Sequence, residues 1–479
     1  MKLSELLRRD CAVDPEITGV TADSRAVRPG FLFAALPGSA ADGRAFVPQA
    51  LTAGAVAVLA PEDDGPLPLQ APVVGVGDVR RAYALASAAF YGAQPSVCVA
   101  VTGTNGKTSV AAFCRQLFDR VGRRAASMGT LGVRTADEVL TPPGLTTPDA
   151  AEVARLMSEL ARRGVTHVAV EASSHGVQQR RLDGVHFAAA GFTNLTQDHL
   201  DYHGDMEGYR SAKLRLFHQL LPRGRTAVLN ADSDGYGAFS AAAIVNGQTI
   251  LSVGERGQGL TLVSRTPTAE GQRLTVEHGG RSYGVRLPLA GAFQAANALV
   301  AAGLCIAVGE DAGEVLAALE HLEGAPGRLQ RVGVGPRGGE AYVDYAHTPD
   351  GLETVLRALR PHTEGKLIVV FGAGGDRDRG KRPLMGEIAE RLADEAIVTD
   401  DNPRNEDPAA IRAAVLSAAT GAREIADRRR AIQAGVERLG SGDVLVVAGK
   451  GHEQGQTVAG ITYPFDDVAE VAAALEASR

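Results

Sequence analysis

The segment Thr102-Gly103-Thr104-Asn105-Gly106-Lys107-Thr108 stands between an apolar run and a helical pattern, where it could bind nucleotide phosphates. A glycine-rich turn in that position points backbone N–H groups at a bound phosphate, and the helix N-terminus adds partial positive charge. We expect Lys107 to reach the terminal phosphates and the Thr108 hydroxyl to bind Mg²⁺. The general motif has a glycine five residues before Gly106, where this chain has Val101, so this loop is a shortened form. Nucleotide binding is favoured over the alternative, a purely structural turn.

Carboxylate and imidazole groups elsewhere could hold a metal ion. Glu171 ends a second apolar run, and its carboxylate suits Mg²⁺, although a helix cap or a solvated acid is the alternative. His199 and His203 stand four positions apart and could share one helical face, but no third ligand follows at a zinc spacing. Three other residues have no local signal and read as an exposed helix lysine, a helix cap and a surface charge: Lys213, Asn297 and Arg328.

Three apolar runs in the last third of the chain, at 367–371, 395–399 and 444–448, each end in a polar or glycine-rich loop. Ligands bind beyond the carboxyl ends of parallel strands, so these loops form one candidate site. Arginine can pair with a carboxylate and a glutamate can receive an ammonium group, which favours a zwitterionic amino acid over merely solvated loops. The first loop is not a GxGxxG motif, because the sixth residue from Gly372 is Arg377. The candidate residues are Arg377, Asp401, Asn402, Pro403, Arg404, Gly449 and Glu453.

Apolar runs alternate with helical patterns along most of the chain. Runs at 97–101, 165–171 and 226–230 are short enough for buried parallel strands, and their alternation with helices predicts an α/β fold with a mostly parallel sheet. A helix is predicted at 79–91, and residues 254–289 alternate in a way that predicts a small antiparallel insert. At 479 residues the chain is too long for one core. Changes in pattern predict three domains, at residues 1–93, 94–324 and 325–479.

Composition excludes several classes of protein. Apolar residues make up 45% and charged residues 22%, which is typical of a globular domain, and no apolar run approaches the roughly 20 residues of a membrane span. The charged opening segment is unlike a signal peptide, so a cytoplasmic protein is expected. A net charge of −7 and the absence of tryptophan argue against nucleic-acid binding. Scattered cysteines predict buried thiols rather than disulfides or zinc ligands: Cys11, Cys98, Cys114 and Cys305.

Together and in this order, the motifs resemble the Mur ligase family, especially the members that add the third stem residue to a UDP-N-acetylmuramoyl-dipeptide. The resemblance spans nearly the whole chain. The phosphate loop is shared with folylpolyglutamate synthases, whereas the last two segments are selective for the third-residue ligases. The segments are Asp23-Ser24-Arg25, 102–109, 171–176, 198–204, 212–217, 291–297, Gly327-Arg328, 344–349, 401–404 and 449–453.

The resemblance implies an N-terminal UDP-binding α/β domain, a central P-loop ATPase domain with a mostly parallel sheet and a C-terminal Rossmann-like domain. It also implies the ligands of each group. The ATP residues are Thr104, Asn105, Gly106, Lys107, Thr108 and Ser109, with Asn297, Arg328 and Asp344 near adenine and ribose. The Mg²⁺ residues are Thr108, Glu171, His199 and a carbamylated Lys213, and the catalytic residues are Lys107, Glu171, His199 and Lys213. The residues for UDP-MurNAc-L-Ala-D-Glu are Ser24, Thr146, Thr147, Ser173, Gln179 and Arg181. The residues for the incoming amino acid are Arg377, Asp401, Asn402, Pro403, Arg404, Gly449 and Glu453.

The chain departs from the family pattern in two places. Leu145 stands where relatives often have asparagine, and Ser39-Ala40-Ala41 is smaller than the residues often seen near uridine. These changes predict a missing polar contact and a looser uridine pocket.

Arg404 favours meso-diaminopimelate as the amino acid, with L-lysine and L-ornithine as alternatives. The expected enzyme is a monomer that uses ATP and Mg²⁺ and forms an acyl phosphate. Another Mur ligase or a folylpolyglutamate synthase is a rival within the ligases. A P-loop kinase or switch NTPase is a rival from a different class, whose ATP turnover would depend on neither substrate.

Overall fold

The computed structural model describes residues 1–38, 42–62 and 72–478. The departure at Ser39-Ala40-Ala41 lies outside the described residues. The chain forms two compact units. The first unit comprises Met1–Leu260 and Val300–Val315, and the second comprises Thr261–Leu299 and Leu316–Arg479.

The first unit opens with a parallel four-stranded sheet whose spatial order is the order of the strands in the chain. Its strands are β1 (Gly19–Thr21), β2 (Phe31–Ala34), β3 (Ala57–Pro61) and β4 (Val73–Val76). Its helices are α1 (Leu3–Leu7), α2 (Val47–Thr52) and α3 (Val79–Tyr91). The predicted helix at 79–91 is confirmed by α3, and Asp78 caps its N-terminus by accepting from the Arg81 N–H. Tyr83 of α3 packs in one core with Leu32 and Leu59 of the sheet.

A larger sheet follows in the same unit. Its strands are β5 (Val97–Thr102), β6 (Ala125–Gly129), β7 (Gly132–Arg134), β8 (Val139–Thr141), β9 (His167–Glu171), β10 (Phe187–Phe192), β11 (Thr226–Asn230) and β12 (Thr249–Gly254). They lie in the order β12-β11-β10-β5-β9-β6-β7-β8, and only β7 and β8 run antiparallel to their neighbours. The mostly parallel central sheet is therefore confirmed. Since β9 and β10 flank β5, the loops after these three strands meet at one edge.

Helices cover this sheet. They are α4 (Lys107–Arg120), α5 (Ala150–Arg162), α6 (Ser174–Gln178), α7 (Leu200–His203), α8 (Met206–Arg215) and α9 (Tyr236–Val245), with a π-helical turn at Leu216–Leu220 after α8. In α4, Val110, Phe113, Cys114 and Leu117 are all buried, as the helical pattern predicts. Two further helices contribute residues to both units: α10 (Ala292–Ala307) and α11 (Ala312–Ala318).

The second unit contains the predicted antiparallel insert, which is formed by β13 (Leu260–Thr268), β14 (Gly271–His278) and β15 (Arg281–Leu287). It also contains a six-stranded sheet of β16 (Gln330–Val334), β17 (Glu340–Asp344), β18 (Leu367–Phe371), β19 (Glu395–Val398), β20 (Arg423–Glu424) and β21 (Val444–Ala448), in the order β16-β17-β21-β18-β19-β20. All of its neighbouring pairs except β16–β17 are parallel. A separate hairpin consists of β22 (Gly455–Val458) and β23 (Ile461–Pro464).

Helices lie on both faces of the six-stranded sheet, which explains why its central strands β18 and β21 are apolar and buried throughout. Leu367 and Val369 of β18 face one core, and Ile368 and Val370 face the other. The helices of this sheet are α12 (Pro349–Leu359), α13 (Lys381–Leu392), α14 (Pro408–Leu416), α15 (Arg428–Val436) and α16 (Asp467–Ala477). Because β21, β18 and β19 are parallel neighbours, the three loops predicted to form one site leave the same sheet edge.

Two composition arguments can be compared with the structure. All four cysteines are free thiols; Cys98, Cys114 and Cys305 are buried, but Cys11 is only half-buried, which corrects the prediction for that residue. Across the described ranges, no helix combines the length and the apolar character needed to span a bilayer.

Candidate active site

The loop between β5 and α4 has the backbone shape that a phosphate-binding turn needs. Gly103 has φ +154° and Gly106 has φ +86°, and a Cβ on Gly103 would lie 1.9 Å from the Thr193 hydroxyl oxygen. Glycine is required at both positions, because side chains are disfavoured at such φ values. Helix α4 begins at Lys107, and the Lys107 ammonium donates to the carbonyls of Gly103 at 2.9 Å and Thr104 at 2.7 Å.

Neighbouring loops hold the rest of the phosphate loop in place. The Thr104 N–H donates to the Asn194 carbonyl, and the Thr104 hydroxyl donates to the Thr196 carbonyl at 3.0 Å. The Asn105 N–H donates to the Asn194 side chain at 2.9 Å. Ser109 is buried in the first turn of α4. The phosphate loop is thus held in place by hydrogen bonds to the loop that follows β10.

The prediction from local sequence that Lys213 is an exposed helix lysine is wrong. Lys213 is only 1% exposed, and its ammonium donates to the Gly103 carbonyl at 2.8 Å. The Lys213 nitrogen lies 4.3 Å from the centre of the buried Tyr209 ring, one turn earlier in α8. Burial, followed by the nearby charge of Lys107, holds the pKa of Lys213 well below its usual range. Helix α8 packs against the phosphate loop, so a position that looks polar in the sequence becomes part of the interior.

Glu171, at the end of β9, is buried beside the phosphate loop. One carboxylate oxygen accepts from the Thr108 hydroxyl at 2.9 Å, and the other accepts from the Thr130 N–H at 2.9 Å. Mg²⁺ is commonly held by one or two carboxylates together with substrate phosphates and water. The oxygen pair of Thr108 and Glu171 therefore fits Mg²⁺ that arrives with a nucleotide. No cluster of three or more His, Cys, Asp or Glu side chains suitable for a metal occurs in the described ranges.

The two histidines predicted to share a helical face do not do so. His199 precedes α7 with φ +52°, in the left-handed region, and His203 is the last residue of this short helix. The exposed His199 ring lies 4.9 Å from the His175 ring, while His203 bonds the Ser174 hydroxyl at 2.9 Å. Burial and the two neighbouring histidines lower the pKa of His175 to about 4. These side chains form an aromatic and imidazole cluster after β9 and β10.

The residues assigned to the muramoyl-peptide form a connected group beside Glu171. The Thr147 hydroxyl donates to the Glu171 carbonyl at 2.8 Å and lies 3.0 Å from the Ser173 hydroxyl. Arg181 donates to the Thr147 carbonyl at 2.6 Å and to the Gln179 side chain at 2.7 Å.

Three further positions belong to the predicted contacts with the muramoyl-peptide or to the departures from the family pattern. The Thr146 hydroxyl is 3.0 Å from that of Thr130. Leu145 is 65% exposed, so its side chain packs against little. Ser24, in the turn after β1, donates from its hydroxyl to the Gln49 side chain at 2.9 Å.

Asn297, Arg328 and Asp344 lie in the second unit. Asn297 is buried within α10 rather than at a helix end, and it donates to the Gln294 side chain at 3.4 Å, which in turn donates to the Arg328 carbonyl at 3.0 Å. The Asp344 carboxylate accepts from the N–H groups of Leu329 at 2.6 Å and Ala346 at 2.7 Å. Burial nevertheless raises the pKa of Asp344 to about 6.

The loops after β18, β19 and β21 meet as predicted. Asn402 is buried and donates to the Glu453 carboxylate at 2.9 Å. Arg404 has φ +54°, and its guanidinium donates to the Gly375 carbonyl at 2.7 Å. Asp401, Pro403 and Gly449 are buried at the base of the loops, whereas Arg377 is exposed at the rim.

Several residues with structural roles at these sites were not singled out from the sequence. Thr130 fixes the Glu171 carboxylate, and Tyr209 donates from its hydroxyl to that of Thr104 at 3.2 Å. Lys450 is fully buried and donates to the Asn402 side-chain oxygen at 2.8 Å. Only Lys450 had a sequence signal, since it stands inside a candidate motif between two glycines.

Comparisons with known proteins agree across the whole chain. Family models described as "Mur ligase family, catalytic domain", "Mur ligase middle domain" and "Mur ligase, glutamate ligase domain" match residues 16–91, 101–305 and 327–451. A relative from Caulobacter vibrioides is 68% identical over 99% of both chains, and one from Bradyrhizobium diazoefficiens is 53% identical over 100% of both. Each bears the name UDP-N-acetylmuramoyl-L-alanyl-D-glutamate–2,6-diaminopimelate ligase.

A solved structure of a ligase with the same name superposes with a TM-score of 0.77, at 34% identity over 100% of this chain and 99% of that one. The phosphate loop, the buried acid beside it and the loop cluster of the second unit thus occur in a chain that matches this family throughout. The chain belongs to the Mur ligase family.

Proposed function

We propose that this chain is an ATP-dependent ligase that joins meso-diaminopimelate to UDP-MurNAc-L-Ala-D-Glu in peptidoglycan synthesis. The observation that carries the proposal is the loop cluster of the second unit. It places an arginine, Arg404, two residues after Asn402, whose side chain holds the Glu453 carboxylate. An amino acid whose distal end carries both a carboxylate and an ammonium group matches such a cluster, and the relatives' shared name specifies 2,6-diaminopimelate.

The phosphate end of ATP would bind at the loop after β5. Backbone N–H groups at the start of α4 and the Lys107 ammonium are suited to the negative charge of the phosphates. We assign this role to Thr104, Asn105, Gly106, Lys107, Thr108 and Ser109. Our assignment of Asn297, Arg328 and Asp344 to adenine and ribose rests on the family resemblance.

Mg²⁺ would be held by the Thr108 hydroxyl oxygen and a carboxylate oxygen of Glu171, which lie 2.9 Å apart. When bound, it would offset charge on the phosphoryl group during transfer. We assign His199 and Lys213 to further metal contacts by resemblance. The lowered pKa of Lys213 favours the neutral amine, which is the form that adds carbon dioxide to give a carbamate and a proton. Carbamylation would turn this buried amine into an oxygen ligand.

The reaction has two steps. The D-glutamate carboxylate attacks the γ-phosphorus of ATP, the bond to the β-phosphate oxygen breaks, and ADP leaves. Lys107 would stabilise the transferred group electrostatically. The amine of diaminopimelate then attacks the acyl carbon, and the tetrahedral intermediate expels phosphate, which takes up the proton that the amine loses. The ATP phosphates and the amino acid are assigned to different units, so a conformational step is expected before chemistry.

Substrate positioning would fall to the group around Thr147. Arg181, held by the Thr147 carbonyl and Gln179, could pair with an anionic part of the muramoyl-peptide. Thr146, Ser173 and Ser24 offer hydroxyl groups, Ser24 toward uracil. We propose domains at 1–93 for the UDP-linked substrate, 94–324 for ATP and 325–479 for the amino acid. A monomer in the cytoplasm, where ATP is available, completes the proposal.

The test is phosphate release from ATP in the presence of UDP-MurNAc-L-Ala-D-Glu. Meso-diaminopimelate, L-lysine and L-ornithine are supplied in separate reactions. We expect release only with diaminopimelate. Release only with lysine or ornithine would keep the ligase and refute the specificity. ATP turnover that needs neither substrate would favour a P-loop kinase or switch NTPase instead. Activity only on other acceptors would favour another Mur ligase or a folylpolyglutamate synthase.

A further inference from the structure

Lys450 is a buried lysine between the two loops assigned to the amino acid. Its side chain is 0% exposed. The ammonium donates to the Asn402 side-chain oxygen at 2.8 Å and to the Gly455 carbonyl at 2.7 Å. It also lies 3.5 Å from the Asp401 carboxylate and 3.6 Å from the Glu453 carboxylate. A buried charge is tolerated only when neighbouring groups of this kind surround it.

The first consequence concerns Glu453. Asn402 donates to the Glu453 carboxylate at 2.9 Å through its nitrogen and accepts from Lys450 through its oxygen. The bond from Lys450, together with a second bond from the Thr457 N–H at 3.0 Å, therefore fixes which way the Asn402 amide points. If the ammonium were lost, the Asn402 oxygen would keep only its bond from Thr457, and the carboxylates of Asp401 and Glu453 would repel each other without an intervening cation.

The second consequence concerns Arg404. The Gly455 carbonyl that accepts from Lys450 opens the hairpin of β22 and β23. In the same hairpin, the Thr457 N–H donates to the Asn402 oxygen at 3.0 Å, and the Thr457 carbonyl accepts from the Arg404 N–H at 2.9 Å. The hairpin thus holds the backbone of Arg404 in its left-handed conformation. Lys450 anchors the first residue of this hairpin.

We propose that Lys450 is a positioning residue that fixes the spacing between Glu453 and Arg404 and so selects an amino acid whose distal end carries both a carboxylate and an ammonium group. This inference rests on the proposed function of the site. The proposed role is geometric rather than electrostatic. A neutral residue at 450 would leave more negative charge near the incoming ammonium group. A purely electrostatic role would therefore predict tighter binding when the lysine is replaced.

The test measures KM for meso-diaminopimelate, KM for ATP and kcat by phosphate release. Lys450→Met removes the ammonium at similar length, and Lys450→Gln keeps one hydrogen-bond donor. We expect the amino-acid KM to rise at least about tenfold in the methionine variant, as for a lost hydrogen bond to a charged group. The glutamine variant should fall between it and the wild type. The ATP KM should stay within about twofold, since the hydrogen bonds and ion pairs of the Lys450 side chain within the described ranges go to none of the residues assigned to ATP.

Gln456→Ala is a second variant that leaves every buried charge in place. Its side chain donates to the Asp401 carbonyl at 2.8 Å, so its loss loosens the same hairpin. We expect a rise of about fivefold in the amino-acid KM, equivalent to one neutral hydrogen bond. Lys366→Gln is the matched control. That lysine is 60% exposed and pairs with Glu395 on the surface, so both KM values should stay unchanged.

The outcomes separate the two hypotheses. An amino-acid KM that is unchanged or lower in both Lys450→Met and Gln456→Ala overturns the role of Lys450, as do amino-acid and ATP KM values that rise equally. Should the Lys450 variants not fold, the Gln456→Ala result decides. A wild-type protein that releases no phosphate with diaminopimelate contradicts the proposed function itself.

Discussion

Replacement of Asp467 by asparagine is expected to destabilise the second unit strongly, because it leaves the Arg428 guanidinium charged and buried. Both side chains are 0% exposed. Two guanidinium nitrogens of Arg428 donate to the two carboxylate oxygens of Asp467 at 2.8 and 2.7 Å. The third, Nη1, has no hydrogen-bond partner among the described residues, so the guanidinium depends heavily on this one carboxylate.

The expected loss of stability follows from the complete burial of the Arg428–Asp467 ion pair. Removal of one partner from a buried ion pair costs about 3–5 kcal/mol. A domain of roughly 200 residues loses about 2–4 °C in Tm for each kcal/mol. The Tm of the second unit should therefore fall by about 6–20 °C in Asp467→Asn.

A matched control lies between the same two helices, α15 and α16. Arg429 donates to both oxygens of Glu470 at 2.8 and 2.7 Å, but the Arg429 side chain is 59% exposed. Water and salt screen this exposed pair, so Glu470→Gln should leave Tm nearly unchanged. Scanning calorimetry and urea unfolding of both variants provide the measurement. Equal changes in the two variants, or no change in Asp467→Asn, would refute the reasoning that enclosure sets the cost.

Three further predictions concern recognition and acid stability. Tyr209→Phe removes one hydrogen bond to the Thr104 hydroxyl, so the ATP KM should rise about fivefold in phosphate-release assays, with the amino-acid KM unchanged. Arg404→Ala should raise the amino-acid KM far more than the ATP KM, and equal effects on both would contradict the assignment. Hydrogen bonds, first from Arg382, lower the pKa of Glu406 to about 2. Its stabilisation is therefore present above pH 4.5 and is lost as the pH falls toward 2, so between pH 7 and 3 the urea midpoint should fall less steeply in Glu406→Gln than in the wild type. Identical pH profiles would refute this.

The strands were the most predictable part of the fold. The runs at 226–230, 367–371 and 444–448 coincide with β11, β18 and β21, because a short apolar run between turn signals has few other stable arrangements. The sequence also places the candidate amino-acid residues at strand ends. It cannot order the strands within a sheet, and that order decides which strand ends become neighbours.

Local pattern failed where the outcome depended on packing between distant segments. His199 and His203 have helical spacing, yet the backbone enters α7 only after His199. Lys213 has the neighbours of a surface lysine, but α8 lies against a loop 110 residues earlier in the chain. The residues next to Lys213 in the sequence give no indication of its contact with Gly103.

The sequence by itself determined the α/β class, the family, the phosphate loop and the motifs at the strand ends, because apolar periodicity, glycine placement and motif order are local properties. Tertiary structure decided which charges are buried and what each one contacts. Lys213, Lys450 and Arg428 are all basic residues, and each is enclosed because separate strands and helices pack around it. Burial and hydrogen-bond partners are properties of the packed chain, so their effect on charge and pKa arises only in the folded protein.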